Sequence, residues 1–176
     1  MSAGGIVAAG HPRSAEAGAQ VLRDGGNAVD AAVSAMLTAC VCEPLLTGLG
    51  AGGYLLCAGF EDEPVLLDFF VAAPGEGSDG AVRADPIPVD VNFGGVIQRF
   101  NCGPATVGAW GTPAGICAAT ERWGSVALGD LVAGPAQLAR DGVEVNAQQG
   151  YIWEILEGIL TITPECEALF APGGRS

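Results

Sequence analysis

The sequence contains no lysine. Its seven basic residues are all Arg, they face 20 Asp and Glu, and the formal net charge is −13. A Walker-type phosphate loop needs a lysine, and so does Schiff-base chemistry, so both are excluded. The charge balance leaves no face that could neutralise a run of nucleic-acid phosphates, and no polybasic patch for a membrane surface. Histidine is nearly absent as well: with His11 alone, and no CxxC pair among six Cys, zinc-ligand spacing does not occur. No apolar run reaches the ~20 residues of a membrane helix; the stretch from Ala28 to Cys42 is too short and carries Asp30. The opening MSAGGIVAAGHPRS has no basic region ahead of an apolar core, so it does not read as a secretory signal. The expected setting is the cytoplasm, where the six thiols would stay reduced and buried. No nucleic acid, membrane, metal or cofactor is expected as a partner.

Charged residues make up only 15% of the chain and hydrophobic residues 49%, which is a folding composition. Its 176 residues can bury a core without staples. The 28 Gly and 11 Pro predict many tight turns and close backbone approaches.

Gly5 to Ala9 reads as a short buried strand. Pro12 opens a helix that runs to about Asp24 and stops at Gly25-Gly26. Asn27 caps the next helix, with Asp30 three residues on completing a capping box, and that helix stops before Pro44. A glycine-rich loop from Thr47 to Gly53 follows. Tyr54–Phe60 and Val65–Val71, separated by Glu61-Asp62-Glu63-Pro64, read as a hairpin. Val89–Phe100 supplies further strand, broken at Gly94-Gly95. Helices are expected from Thr112 to Trp123, Leu128 to Arg140 and Asn146 to Leu160, with a short one starting at Thr163-Pro164. The stretch from Pro74 to Pro88 is the weakest point in what reads as one domain. The pattern is α/β in the broad sense (α+β), with antiparallel pairing early and helices after it.

Several groups of residues invite a chemical reading. Gly48-x-Gly50-x-x-Gly53 spells a dinucleotide fingerprint, but a helix precedes it and a strand follows, the reverse of what that chemistry needs. It reads as a tight loop. His11 stands at a helix entrance, where capping is the plain role. Ser14, Ser34, Ser78 and Ser125 lack the sharp exposed turn of a triad nucleophile. Ser2 would need removal of Met1 to become an N-terminal nucleophile. Glu61, Asp62 and Glu63 read as solvated turn charges. Asp68, inside an apolar strand, reads as a buried carboxylate in want of donors, which the glycine-rich loop could supply. No self-contained catalytic set emerges.

The run VAAGHPRSAEAGAQVLRDGGNAVDAAVSAMLTACVCEP, followed by LTGLGAGGYLL, resembles the start of the γ-glutamyltransferase (glutathione hydrolase) family. Later pieces continue the resemblance in order: LLDFFVAAPG, WGTPAGICAATERWG and LVAGPAQLARDGVEVN. The resemblance implies part of a four-layer αββα fold of the N-terminal-nucleophile hydrolases. It implies a precursor that cuts itself in two, like a zymogen. A small subunit would then open with a Thr that forms a γ-glutamyl-enzyme, resolved by water or an amine. On this reading residues 1–176 are a single partial domain, the front half of a large subunit.

The expected partners are therefore the rest of the large subunit, the small nucleophile-bearing subunit, and a small γ-glutamyl or related acyl amide. The expected activity is that of an acyltransferase or hydrolase of glutathione metabolism. No catalytic residue is assigned within the chain, which alone should be inactive. One substrate-binding position is assigned. The family's Arg, which binds the substrate carboxylate, aligns with Phe70, and the Glu after it aligns with Val71. Phe offers no fork to a carboxylate. Phe70 therefore points either to a more apolar acyl group, as in related acylases, or to plain core packing. A non-catalytic structural or interaction fragment is the remaining alternative.

Overall fold

A computed structural model describes residues 4–75, 77 and 85–174. Ser2 and Ser78 lie outside the described residues. The element order is α1 (Pro12–Arg23), α2 (Ala28–Cys42), β1 (Tyr54–Cys57), β2 (Val65–Asp68), β3 (Ile87–Asn92), β4 (Ile97–Cys102), α3 (Thr112–Trp123), α4 (Leu128–Asp141), α5 (Ala147–Leu160) and α6 (Pro164–Phe170). The class is α+β: among the described residues, helices combine with two separate two-stranded antiparallel sheets. The chain divides into two compact units, Met1–Val71 with Trp110–Glu144, and Ala72–Ala109 with Val145–Ser176. The boundaries fall outside the Pro74–Pro88 stretch, which belongs to the second unit.

In the first unit α2 is the central element. Its side chains are apolar or small almost all round, so it can be covered on most sides. Val29, Val33 and Leu37 enter the core with Cys57, Ile116, Ala119, Trp123 and Leu131. The helix begins at a capping box: Asn27 Oδ1 accepts from the Val29 and Asp30 amides, and the Asn27 amide donates to Asp30. Helix α1 ends at Gly25, whose φ of 97° is the left-handed stop that glycine adopts without strain. It lies close on α2 because Gly18 has no side chain; a Cβ there would stand 2.9 Å from the Ala31 carbonyl oxygen. Strands β1 and β2 pair in the register Tyr54↔Asp68 and Leu56↔Leu66. Period-2 alternation turns Leu55, Cys57, Val65 and Leu67 toward the helices, and leaves Tyr54, Leu56 and Leu66 exposed.

In the second unit β3 and β4 form a hairpin in the register Ile87↔Cys102 to Asn92↔Ile97. Its turn uses Gly94 and Gly95, both at positive φ. Helix α5 packs on β3, where Gly158 meets Val89. It starts at its own capping box, Asn146 with Gln149. Trp153 meets Phe170 of α6 edge-on, with centroids 5.7 Å apart.

Four expectations need correcting. Gly5–Ala9 is extended but forms no ladder among the described residues, and it is mostly exposed, with Ile6 at 98%. A strand needs a neighbour, and none of the described segments pairs there. Asp68 is exposed, not buried, because register places it on the outer face of the hairpin. Glu61 is exposed in the turn but is more than a solvated charge. Its carboxylate takes a two-pronged ion pair from Arg122, at 2.7 and 2.8 Å, and a hydrogen bond from Trp123 Nε1 at 2.8 Å. Of the six cysteines only Cys42 and Cys57 are buried, and Cys117 is exposed.

Candidate functional site

The hairpin end next to Phe70 is assembled from glycines. Beyond the ladder, Gly53 and Phe69 exchange backbone hydrogen bonds of 3.3 and 3.0 Å. This carries the pairing one step past Asp68 and turns the Phe69 side chain inward. The ring is received by α3 at Gly115, where a Cβ would stand 2.3 Å from Phe69 Cγ. At Gly111 a Cβ would stand 2.1 Å from the Phe69 carbonyl oxygen, and at Gly52 one would stand 2.5 Å from the Val71 nitrogen. The amides of Gly111 and Thr112 both donate to the Ala51 carbonyl, at 3.1 Å each. The strand tail is thus clamped between the glycine-rich loop and the entrance of α3, with no side chain in between. Only glycine permits that approach.

Alternation then sends Phe70 outward. Its amide donates to Asp68 Oδ1 at 3.0 Å, a local turn that fixes the tail. Its ring stacks on Tyr54: the centroids are 5.4 Å apart and the planes 9° from parallel. Tyr54 is the ladder partner of Asp68, so Phe70 is its diagonal neighbour, within reach of an aromatic side chain. Both rings stay more than half exposed, at 57% for Tyr54 and 54% for Phe70. On the helix-facing side, an apolar recess of about 140 Å³ is lined by Val33, Met36, Tyr54, Leu55, Phe69 and Ile116, among others, but not by Phe70.

The segment Asp68–Val71 holds no cation, and several arginines are engaged elsewhere: Arg23 with Glu16, Arg99 with Asp90, Arg122 with Glu61. Tyr54 was not singled out from the sequence. The signal was available in the period-2 spacing of the hairpin, which puts residues 54 and 70 on one face.

The other candidates resolve into structural roles. His11 Nδ1 accepts the Arg13 amide at 3.2 Å, the expected cap of α1. The glycine-rich loop joins α2 to β1 and opens no helix; its close approaches are at Gly52 and Gly53, whereas Gly48 and Gly50 have open space. Ser34 is buried within α2. Ser14 is fully buried, and its Oγ has no hydrogen-bond partner.

Ser125 and Asp30 form a pair that sequence reasoning missed. Ser125 donates its hydroxyl to Asp30 Oδ2 at 2.5 Å, and the Ser125 and Val126 amides point at the same carboxylate. Burial alone would raise the Asp30 carboxyl. The Ser125 hydroxyl and the Asn27, Ser125 and Val126 amides outweigh burial, so the group lies below the ordinary carboxylate range. With its oxygens saturated and no imidazole beside them in this network, Asp30 is a brace between the start of α2 and the α3–α4 turn.

The fold is that of the α+β N-terminal-nucleophile hydrolases. It superposes on the crystal structure of Helicobacter pylori gamma-glutamyltranspeptidase with a TM-score of 0.73 at 25% identity, covering 93% of this chain and 45% of that one. The chain belongs to the gamma-glutamyltranspeptidase family, which it matches over residues 14–176. It is 33% identical over 144 residues to the glutathione hydrolase proenzyme of Bacillus subtilis, covering 81% of this chain and 24% of that protein. It is 28% identical over 171 residues to the acylase ACY 1 proenzyme of a Pseudomonas species, covering 97% of this chain and 31% of that protein. The chain thus spans about a quarter to a third of the length of these relatives. No helix among the described residues is long and apolar enough to cross a membrane.

Proposed function

We propose that residues 1–176 are the front part of the large-subunit domain of a γ-glutamyltransferase-like enzyme, working in the cytoplasm on γ-glutamyl or related acyl amides. The observation that carries this reading is the family match over residues 14–176 by a chain spanning only a fraction of its relatives' length. The chain supplies scaffold and one wall of the acyl site at Phe70, while the reactive hydroxyl belongs to another stretch of polypeptide.

The chemistry follows from a Thr with a free α-amine, which is nucleophile and base in one residue. Its hydroxyl oxygen attacks the amide carbonyl carbon as the amine takes the hydroxyl proton. The proton then passes to the leaving nitrogen, the C–N bond breaks, and an acyl ester remains. Backbone N–H groups stabilise the oxyanion. Water or an acceptor amine resolves the ester and regenerates the Thr. No such Thr is assigned within this chain.

The test is reconstitution. The 176-residue chain is mixed with separately expressed nucleophile-bearing remainder, and p-nitroaniline release from acyl anilides is followed. The expected result is co-elution and turnover in the mixture, with none from the chain alone. Turnover by the purified 176-residue chain, lost on Ser2→Ala, would overturn the reading. Failure of the two parts either to associate or to turn over would favour a non-catalytic fragment.

A further inference from the structure

Resting on the reading that Phe70 borders the acyl site, we propose that the Tyr54–Phe70 pair is a stacking platform for a flat, uncharged aromatic acyl group. The amides of the assembled enzyme then carry an aryl acyl moiety in place of an amino-acid one.

Three observations converge on this. The two rings lie 9° from parallel with centroids 5.4 Å apart, yet each remains more than half exposed, so the stack can continue onto a third ring. The stack is held in place beforehand. Tyr54 sits in the ladder, and Phe70 is fixed by the Asp68 turn and by the glycine clamp on Phe69. Little ordering is then left for binding to impose, which is what gives rigid aromatic surfaces their affinity. Charge argues the same way. An amino-acid acyl group brings a carboxylate that needs a cationic fork. Phe69-Phe70-Val71-Ala72 offers none, and the ionised group beside it is the exposed carboxylate of Asp68, which repels another carboxylate.

The experiment has two arms. In the first, the chain assembled with the nucleophile-bearing remainder is given phenylacetyl-p-nitroanilide and γ-glutamyl-p-nitroanilide. The phenylacetyl compound is the better substrate. Tyr54→Ala and Phe70→Ala each raise its KM about two- to tenfold with kcat held, the worth of one aromatic contact. Phe70→Arg moves selectivity toward the γ-glutamyl compound. Wild-type preference for the γ-glutamyl compound overturns the proposal while leaving the acyl-transfer reading intact. So does an unchanged KM in both Ala variants, or a defect confined to assembly, which would assign the rings to core packing.

In the second arm, saturation-transfer NMR reads phenylacetamide binding to the 176-residue chain itself, where no turnover is needed. Transfer that is present in the wild type and lost in both Ala variants supports the platform even if the assembled protein hydrolyses nothing. Absence of transfer to the wild type overturns it. Both side chains are exposed, so the substitutions leave the fold intact, which circular dichroism verifies.

Discussion

Ser125 gives its hydroxyl to Asp30 across 95 residues of sequence, at 2.5 Å, and in doing so ties the first turn of α2 to the α3–α4 connection. The carboxylate is saturated by donors that exist only in the folded chain. Its pKa is lowered by folding, so the stabilisation is present above the unfolded value near pH 4 and is lost as pH falls through the lower folded value. Asp30→Asn keeps the shape but removes the charge, and is expected to lower stability by about 2–3 kcal/mol at pH 7. The check is the denaturant midpoint measured from pH 7 down to pH 3. The wild-type advantage should shrink below about pH 4. A variant as stable as the wild type at pH 7 would show that the brace carries no energy.

The glycine clamp on Phe69 makes a graded prediction. At Gly115 an added methyl meets the ring of Phe69; at Gly111 it meets the backbone carbonyl of the same residue, which cannot swing aside. Gly115→Ala is expected to cost about 1–3 kcal/mol by overpacking. Gly111→Ala should cost more than Gly115→Ala. Gly150, which has open space around it in α5, serves as the control. Gly150→Ala should be neutral or stabilising by up to about 1 kcal/mol, as expected in a helix. Thermal midpoints of the three variants read the order directly, and an equal response at all three would mean that the clamp is loose.

Much of this architecture was legible in local chemistry. Pro12, Asn27, Thr112-Pro113, Asn146 and Thr163-Pro164 mark helix starts that need only neighbouring residues to form, and Gly25 and Gly142 mark stops. The hairpin of β1 and β2 was legible for the same reason. Long-range pairing was not. Nothing local says that Glu61 meets Arg122, or that Asp30 meets Ser125, because those partners lie 61 and 95 residues away. Asp68 was misread because an apolar run hides its alternation, and register alone decides which face a residue takes. Phe70 came from a family resemblance, whereas its stacking partner Tyr54 needed the structure.

The cysteines separate by environment. Burial pushes the Cys57 thiol up, with the neighbouring Glu61 charge adding to it, and burial likewise pushes up Cys40 and Cys42. A thiol held protonated and covered is a poor nucleophile. Cys117, exposed on α3, has no such cover. Alkylation by iodoacetamide at pH 8 under native conditions should therefore label Cys117 first, and Cys57 and Cys42 only after unfolding. Mass spectrometry of peptides from a time course checks the order. Early labelling at Cys57 would mean that β1 opens readily from the helices behind it.

The outer face of the first hairpin presents Tyr54, Leu56, Leu66 and Phe70 together, with Leu56 exposed at 69% and Leu66 at 57%. Alternation concentrates them there: the same register that feeds Leu55 and Leu67 to the core pushes these four outward. Leu56 and Leu66, which face each other across the ladder and lie outside the Tyr54–Phe70 stack, mark the part of this face built to be covered by protein. The isolated chain should bind anilinonaphthalene sulfonate in its native state and associate with itself as concentration rises. Leu56→Lys with Leu66→Glu should abolish both while preserving the far-ultraviolet circular dichroism. The same double variant should fail to join the nucleophile-bearing remainder if that part supplies the cover. Sedimentation velocity over a concentration series distinguishes the cases. A monomeric, dye-silent wild-type chain would mean that the patch is already satisfied within the 176 residues.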